Sequence, residues 1–367
     1  MDTITQGLLG AATAQLGFRQ KIGRDATWVA AAAAIVPDLD IFIAPLLSLT
    51  GAELDDMARL RIHRGWSHSL FVAPLLALPI AALWWRARRG YARRLAGAGE
   101  RAKPPPFWLL YLCVFVAVFT HPLLDWCTSY GTRLLEPLTD TRYAIDAAPI
   151  IDFIYTPLLL VTLLACWAAR KIARGRAPRA TLVIGWAGVL LSVGYLAAGR
   201  LLHDRAADRA AALVASKGEK VLRADAYPAI GTIFLWRAVV QTDQAWHAVR
   251  VHHFTERPPQ QWRAARAART APNEWVRRAR RLEEYQTYRW FTNDRIRVEY
   301  EAINGVHVVR FHDMRYSPRL DGIESLWPLV AEFDRKGKLV FVGRRMERRR
   351  REFARYAAAV WHDLWNP

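Results

Sequence analysis

Five apolar runs, each of membrane-crossing length, follow one another in the first 202 residues. They constrain the fold more than any other feature. They cover about 27–49, 69–85, 107–127, 151–169 and 181–202. A helix rising about 1.5 Å per residue needs roughly 17–25 apolar residues to cross a bilayer. In hydrocarbon the backbone must satisfy its own polar groups, and continuous rather than alternating apolar runs do that as helices. Residues 203–367 change character. Thr232–Val240, Trp246–Phe254, Ile296–Ala302, Val306–Met314, Trp327–Phe333 and Leu339–Val342 read as strands. Glu274 to about Thr287 and Met346 to about Leu364 read as helices. The expected fold is therefore an α-helical polytopic membrane domain of about five spans, residues 1–202, followed by an α+β soluble domain, residues 203–367.

The spans have internal punctuation. Thr3-Ile-Thr-Gln6 reads as a capping box opening a helix to about Leu16, too short to span. The first run is interrupted at Pro37-Asp38, which predicts a helix to about Val36, a break, and a second apolar piece. Such a break is tolerated at membrane depth only where protein or a water-filled cavity surrounds it.

The net charge of +19 would suit nucleic acid, but the cations collect between apolar runs. Arg86, Arg88, Arg89, Arg93, Arg94, Arg101 and Lys103 follow the second run, against the single acid Glu100. Arg170, Lys171, Arg174, Arg176 and Arg179 follow the fourth. That is how a membrane protein marks its cytoplasmic side, so no nucleic-acid partner is expected. The N-terminus then lies in the cytoplasm, and 50–68, 128–150 and the C-terminal domain lie outside. No cleavable signal peptide is expected. Cys113, Cys127 and Cys166 form no CxxC pair and read as small packing residues. The basic run Arg344–Arg351 reads as a solvated helix face, and the His252-His253 doublet as surface.

Against this background six ionisable residues stand out: Asp38, Asp40, His63, His68, His121 and Asp125. Charge in or beside an apolar span is costly and marks function by default. Imidazole with carboxylate is the ligand set of a zinc or related divalent site. His121 and Asp125, at i and i+4, share one helical face. His63 and His68, at i and i+5, need His63 in a loop and His68 at the opening of the second span. Gly65 would permit that turn. Asp38 and Asp40, at i and i+2, suit an extended or turn segment. Arg64 is placed to hold an anionic group. Asp146 and Asp152 are weaker candidates, Asp152 reading as a helix cap. Arg133 and Glu136 are spaced to pair locally.

Met1-Asp-Thr-Ile-Thr-Gln-Gly-Leu-Leu-Gly-Ala-Ala, Pro37-Asp-Leu-Asp40, His63-Arg-Gly-Trp-Ser-His-Ser69, His121-Pro-Leu-Leu-Asp125 and Ser129-Tyr-Gly-Thr-Arg-Leu-Leu-Glu-Pro137 occur in that order. Together they resemble the blocks of the YdjM-like family of inner-membrane, metal-dependent hydrolases over about residues 1–200. Asp313-Met-Arg-Tyr316 resembles a block of its longer members. Phe153 departs from the pattern, standing where proline is expected. The order of ligands is also similar to that of zinc-dependent phospholipases C.

The resemblance implies a hydrolase of the bacterial inner membrane. One or two divalent ions, expected to be zinc, would activate water against a lipid or lipid-linked phosphoester. Asp38, Asp40, His63, His68, His121 and Asp125 would be the metal ligands. Asp38, His68 and Arg64 would do the chemistry. Membrane lipids are the expected partners. The alternative is a non-enzymatic membrane scaffold or transporter accessory with a structural metal site. An open coordination position separates the two.

Overall fold

The computed structural model describes residues 1–51, 55–97, 104–174, 178–255 and 258–345, with 356, 358 and 360–362. Two compact units emerge. The first is Met1–Ala52, Ile62–Ile145 and Ile150–Ala197; the second is Glu53–Arg61, Asp146–Pro149 and Ala198–Pro367.

The first unit is helical. A short helix α1 (Thr3–Ala14) leads through α2 (Phe18–Ile22) into α3 (Asp25–Ile35). A 3-10 stretch, Val36–Phe42, then joins α3 to α4 (Ile43–Ser48). Pro37, with no N–H to give, ends the α-helical ladder there. The long helices are α6 (Ala73–Gly97), α7 (Phe107–Trp126), α8 (Tyr155–Ile172) and α9 (Pro178–Ala215). The short α5 (Asp56–Ile62) precedes α6 in the chain and belongs, up to Arg61, to the second unit. Among the described residues Asp25–Ser48, Phe107–Trp126, Tyr155–Ile172 and Pro178–Ala215 are long and apolar enough to cross a membrane, and α6 with the helical stretch before it forms either a fifth, broken span or a re-entrant loop.

The spans pack through small residues. Ala30, Ala33 and Ala34 of α3 and Ala73, Ala77 and Ala81 of α6 lie against Leu110, Val114, Ala117 and Val118 of α7. Helices in lipid gain nothing from hydrophobic burial against one another, so close backbone approach carries their association. Gly10 shows how close. A Cβ there would stand 2.5 Å from the Ala30 carbonyl oxygen and 2.5 Å from the Ala34 Cβ.

Several local expectations need correction. The α1 cap is Asp2, which accepts from the Thr5 amide at 3.0 Å, and Gln6 turns inward instead of back. Arg86, Arg88, Arg89, Arg93 and Arg94 are not in a loop. Their strong helix propensity carries α6 on to Gly97. There Arg88 donates to the Ile22 carbonyl at 2.5 Å, capping α2. Glu100, Arg101, Lys103 and Arg176 lie outside the described residues. Asp152 caps α8, accepting from the Ile154 and Tyr155 amides at 2.8 Å each.

The second unit holds two four-stranded antiparallel sheets. One is β1 (Val221–Pro228), β2 (Leu235–Thr242), β3 (Ala245–His252) and β4 (Ala264–Ala268). The other is β5 (Ile296–Ile303), β6 (Val306–Asp313), β7 (Leu329–Phe333) and β8 (Leu339–Arg344). The sequence pattern does not reveal β1 or the alanine-rich β4. The single helix expected from Glu274 is two, α10 (Glu274–Ala279) and α11 (Glu283–Thr292). The helix expected over 346–364, and most of the run Arg344–Arg351, lie outside the described residues. His252 is buried, not surface, because β3 is covered on both faces. The Asp313-Met-Arg-Tyr block is structural: the Arg315 guanidinium grips the Asp313 carboxylate, both buried, with Nη2 2.7 Å from Oδ2.

Acid should weaken this unit in two stages. His247 and Thr242 bond the Glu219 carboxylate at 2.9 and 2.7 Å and hold its pKa down at about 2. Burial pushes the His253 imidazole down to about 4, its Nε2 lying 3.0 Å from the Leu202 carbonyl. Both folded values sit below the unfolded ones, near 4.5 and 6.5. Each group therefore contributes stability at neutral pH that is lost on acidification. The His253 part should go between about pH 6.5 and 4, and the Glu219 part between about 4.5 and 2. Thermal melts of the full chain, followed by tryptophan fluorescence across this range, check it. Glu219→Gln should flatten the lower stage alone.

Candidate metal centre

Three stretches of the first unit supply the centre. The 3-10 stretch after α3 carries Asp38 and Asp40. A turn after α5 carries His63 and Arg64, and a second 3-10 turn, Trp66–His68, carries His68. The last two turns of α7 carry His121 and Asp125 on one face, both fully buried.

Four of these side chains face a common point. His68 Nε2 and His121 Nε2 are 3.0 Å apart. His68 Nε2 lies 3.6 Å from Asp38 Oδ1 and 3.3 Å from Asp125 Oδ2. His121 Nε2 lies 3.3 Å and 3.6 Å from the same two oxygens. The four ligand atoms all fall within 4.8 Å of one another. Donors about 2.0–2.2 Å from a tetrahedral ion stand about 3.3–3.6 Å apart; the five pairs above, at 3.0–3.6 Å, come near that, so the cluster is compact enough for one divalent cation.

The surroundings fix the donors. His121 Nδ1 bonds the Ala34 carbonyl at 2.6 Å, which turns an Nε2 lone pair toward the centre. His68 Nδ1 lies 2.8 Å from Ser67 Oγ, which donates to Asp40 Oδ2 at 2.8 Å. Asp40 Oδ2 also accepts from the Arg64 amide at 3.0 Å, and Oδ1 lies 2.8 Å from His63 Nδ1. Asp40 and His63 thus stand behind His68 as its orienting carboxylate and imidazole. Asp125 Oδ2 is buried with no hydrogen-bond donor; Arg64 Nε is 3.0 Å away but misaligned for one. A buried anionic oxygen left this way suits a metal ligand. Its Oδ1 is held by Gln6 Nε2 at 3.0 Å and by the Met1 amino group.

Arg64 is buried, with Nη1 donating to Thr128 Oγ1 at 2.9 Å and its guanidinium over the Tyr130 ring. It is also the residue of the turn with positive φ, 59°. Gly65 is needed for another reason than a left-handed turn: a Cβ there would collide with the Arg133 guanidinium, which pairs with Glu136. Asp146 belongs to the other unit, and Asp152 is the α8 cap.

Sequence reasoning passed over Gln6, Ser67 and Thr128. Gln6 carried a usable signal, as a long polar side chain on the buried face of an apolar helix. The Ala34 carbonyl carried none.

A bundle crossing the membrane about five times, with two histidines and two aspartates converging at one end of a span, defines a polytopic membrane protein able to hold a metal ion. The chain belongs to the YdjM inner membrane protein family, whose model matches residues 1–201. It is also similar to the membrane sensor protein UhpC of Salmonella typhimurium, with 29% identity over 170 residues, 38% of this chain and 37% of that protein. No solved structure matches the chain.

Proposed function

We propose that the protein is a membrane-bound, metal-dependent hydrolase acting on a lipid or lipid-linked phosphoester at the outer side of the inner membrane. The observation that carries this is the convergence of Asp38, His68, His121 and Asp125, whose ligand atoms lie within 4.8 Å of one another. A divalent cation held there, zinc by its nitrogen and oxygen donors, would supply Lewis acidity and lower the pKa of water toward about 7. Asp38, at 14% side-chain exposure, is the one open member of the four and would accept a proton from the attacking water. Arg64, beside Asp125, would take the negative charge of the substrate. His68, oriented by Ser67 and Asp40, would keep its Nε2 aimed at the cation. Leu39, Ile41 and Phe42, next to Asp38 in the chain, are 50%, 53% and 59% exposed, which supports a substrate arriving from the lipid phase.

Metal analysis of the purified protein, paired with phosphoester turnover by wild type and His121→Gln, tests the reading. It fails if wild type holds no divalent metal, or holds one and cleaves no amphiphilic phosphoester. The second reading, a membrane scaffold with a structural metal, draws on the ion pair between Asp125 and Arg64, which already balances one ligand's charge. A centre closed by four protein donors with no exchangeable position would favour it.

The charge pattern supports a cytoplasmic N-terminus and a periplasmic C-terminal domain. A reporter fused after Lys103 should register cytoplasm, and one fused at Pro367 the periplasm. A cytoplasmic Pro367 fusion would reverse the side on which the centre opens.

A further inference from the structure

α8 and α9 touch closely at one point and part at another. At Gly188 a Cβ would overlap the Thr162 side chain, so that glycine serves the contact. Six residues on, Gly194 has nothing within 4 Å of where its Cβ would be. Glycine inside a helix costs about 0.5–1 kcal/mol relative to alanine, and no contact among the described residues recovers that at Gly194. Around it lies an open groove of about 740 Å³, walled by Ile154 just before α8, Leu158 of α8, and Ala187, Leu190 and Leu191 of α9. Its lining is almost wholly apolar. The one hydroxyl there, on Tyr195, donates to the Asp152 carboxylate at 2.8 Å.

The groove sits at the same end of the bundle as the metal centre. Tyr155, beside Ile154, packs in one cluster with Leu124, the neighbour of Asp125, and Tyr195 packs against that cluster. Thr156 Oγ1 meets Thr5 Oγ1 of α1 at 2.6 Å, one residue from the Gln6 that holds Asp125. On either side the helices expose Leu160, Val161, Val183, Trp186 and Val193, so the groove is continuous with the lipid-facing surface.

We propose that this groove holds one acyl chain of a membrane lipid and forms the tail subsite for the substrate. The second clause rests on the hydrolase reading above. On the lipid-facing side of a span the solvent is hydrocarbon, and a groove whose one hydroxyl is already bonded offers packing alone, which an acyl chain matches.

The test uses the full chain in nanodiscs of phosphatidylethanolamine and phosphatidylglycerol, doped with a phospholipid bearing a diazirine on one acyl chain. In wild type the label should concentrate on peptides spanning 154–158 and 187–195. Gly194→Trp, which fills the groove without meeting the fold, should cut that labelling to about a tenth or less, since close-packed volume admits one occupant. Leu190→Trp, from the same wall, repeats the test should the first variant fold poorly. Metal content should stay at the wild-type level in both. Labelling unchanged by either variant, or spread evenly over the lipid-facing residues, overturns the proposal. So does a cross-link between two copies through 187–195. Because labelling needs no turnover, a protein without metal would sink the hydrolase reading while leaving the groove to be judged separately.

Discussion

Asp38→Asn should strip the metal while leaving the protein folded, whereas Asp125→Asn should cost both metal and stability. The difference lies in what each carboxylate faces. Asp38 neighbours two imidazoles and accepts from Thr3 Oγ1 at 3.1 Å, so its loss leaves no cation stranded. Asp125 is fully buried beside Arg64 and the Met1 amino group. Removing one member of a buried ion pair costs about 3–5 kcal/mol, chiefly from the charge left behind. Asp40→Asn makes a graded comparison. As the carboxylate behind His68, it should weaken metal binding by about 10–100-fold, the usual cost of an orienting partner, and the two ligand variants by more. Metal quantification on matched, folded preparations reads the series. Glu283→Gln, on an exposed side chain of α11, serves as the unaffected control. Equal metal in wild type and Asp38→Asn would remove Asp38 from the centre.

Gly10→Val should force α1 away from α3. Its side chain would enter the space now held by the Ala30 carbonyl and the Ala34 methyl, with no flexible group to yield. Overpacking typically costs about 1–3 kcal/mol, and rigid backbone on the far side favours the upper end. The effect should also reach the metal. Ala34 supplies the carbonyl that orients His121, so separating α1 from α3 loosens a ligand. A lower melting temperature in detergent together with weaker metal binding is the expected pair of results. Gly90→Ala in α6, where a Cβ meets open space, should leave both intact or raise stability slightly. A wild-type melting temperature for Gly10→Val would show that α1 does not pack on α3 as described.

Hydropathy made the membrane domain legible because spanning is a local property. Twenty consecutive apolar residues carry the information themselves, and the five runs correspond to α3 with α4, α6, α7, α8 and α9. The residue types of the centre were legible for a related reason, since an aspartate or histidine inside such a run demands explanation. Segment ends were less so. Arginine favours helix as readily as leucine does, so α6 ran on where charge alone suggested a loop. In the C-terminal unit β4 was invisible because Ala264–Ala268 has neither alternation nor β-branched residues; it is a strand by pairing with β3.

Sequence by itself thus determined the class of the protein, the break at Pro37, and the list of six ionisable residues. Only the tertiary structure decided how they divide. Asp38 and Asp40 are two residues apart, yet one faces the centre and the other backs His68, because the 3-10 turn points them in different directions. Gln6 and Ala34 joined the site by long-range packing of α1 and α3 against α7, at separations of 119 and 87 residues from their partners. A ligand's identity is written in its residue type, but its convergence with others depends on helices that meet in space, and no local pattern encodes that.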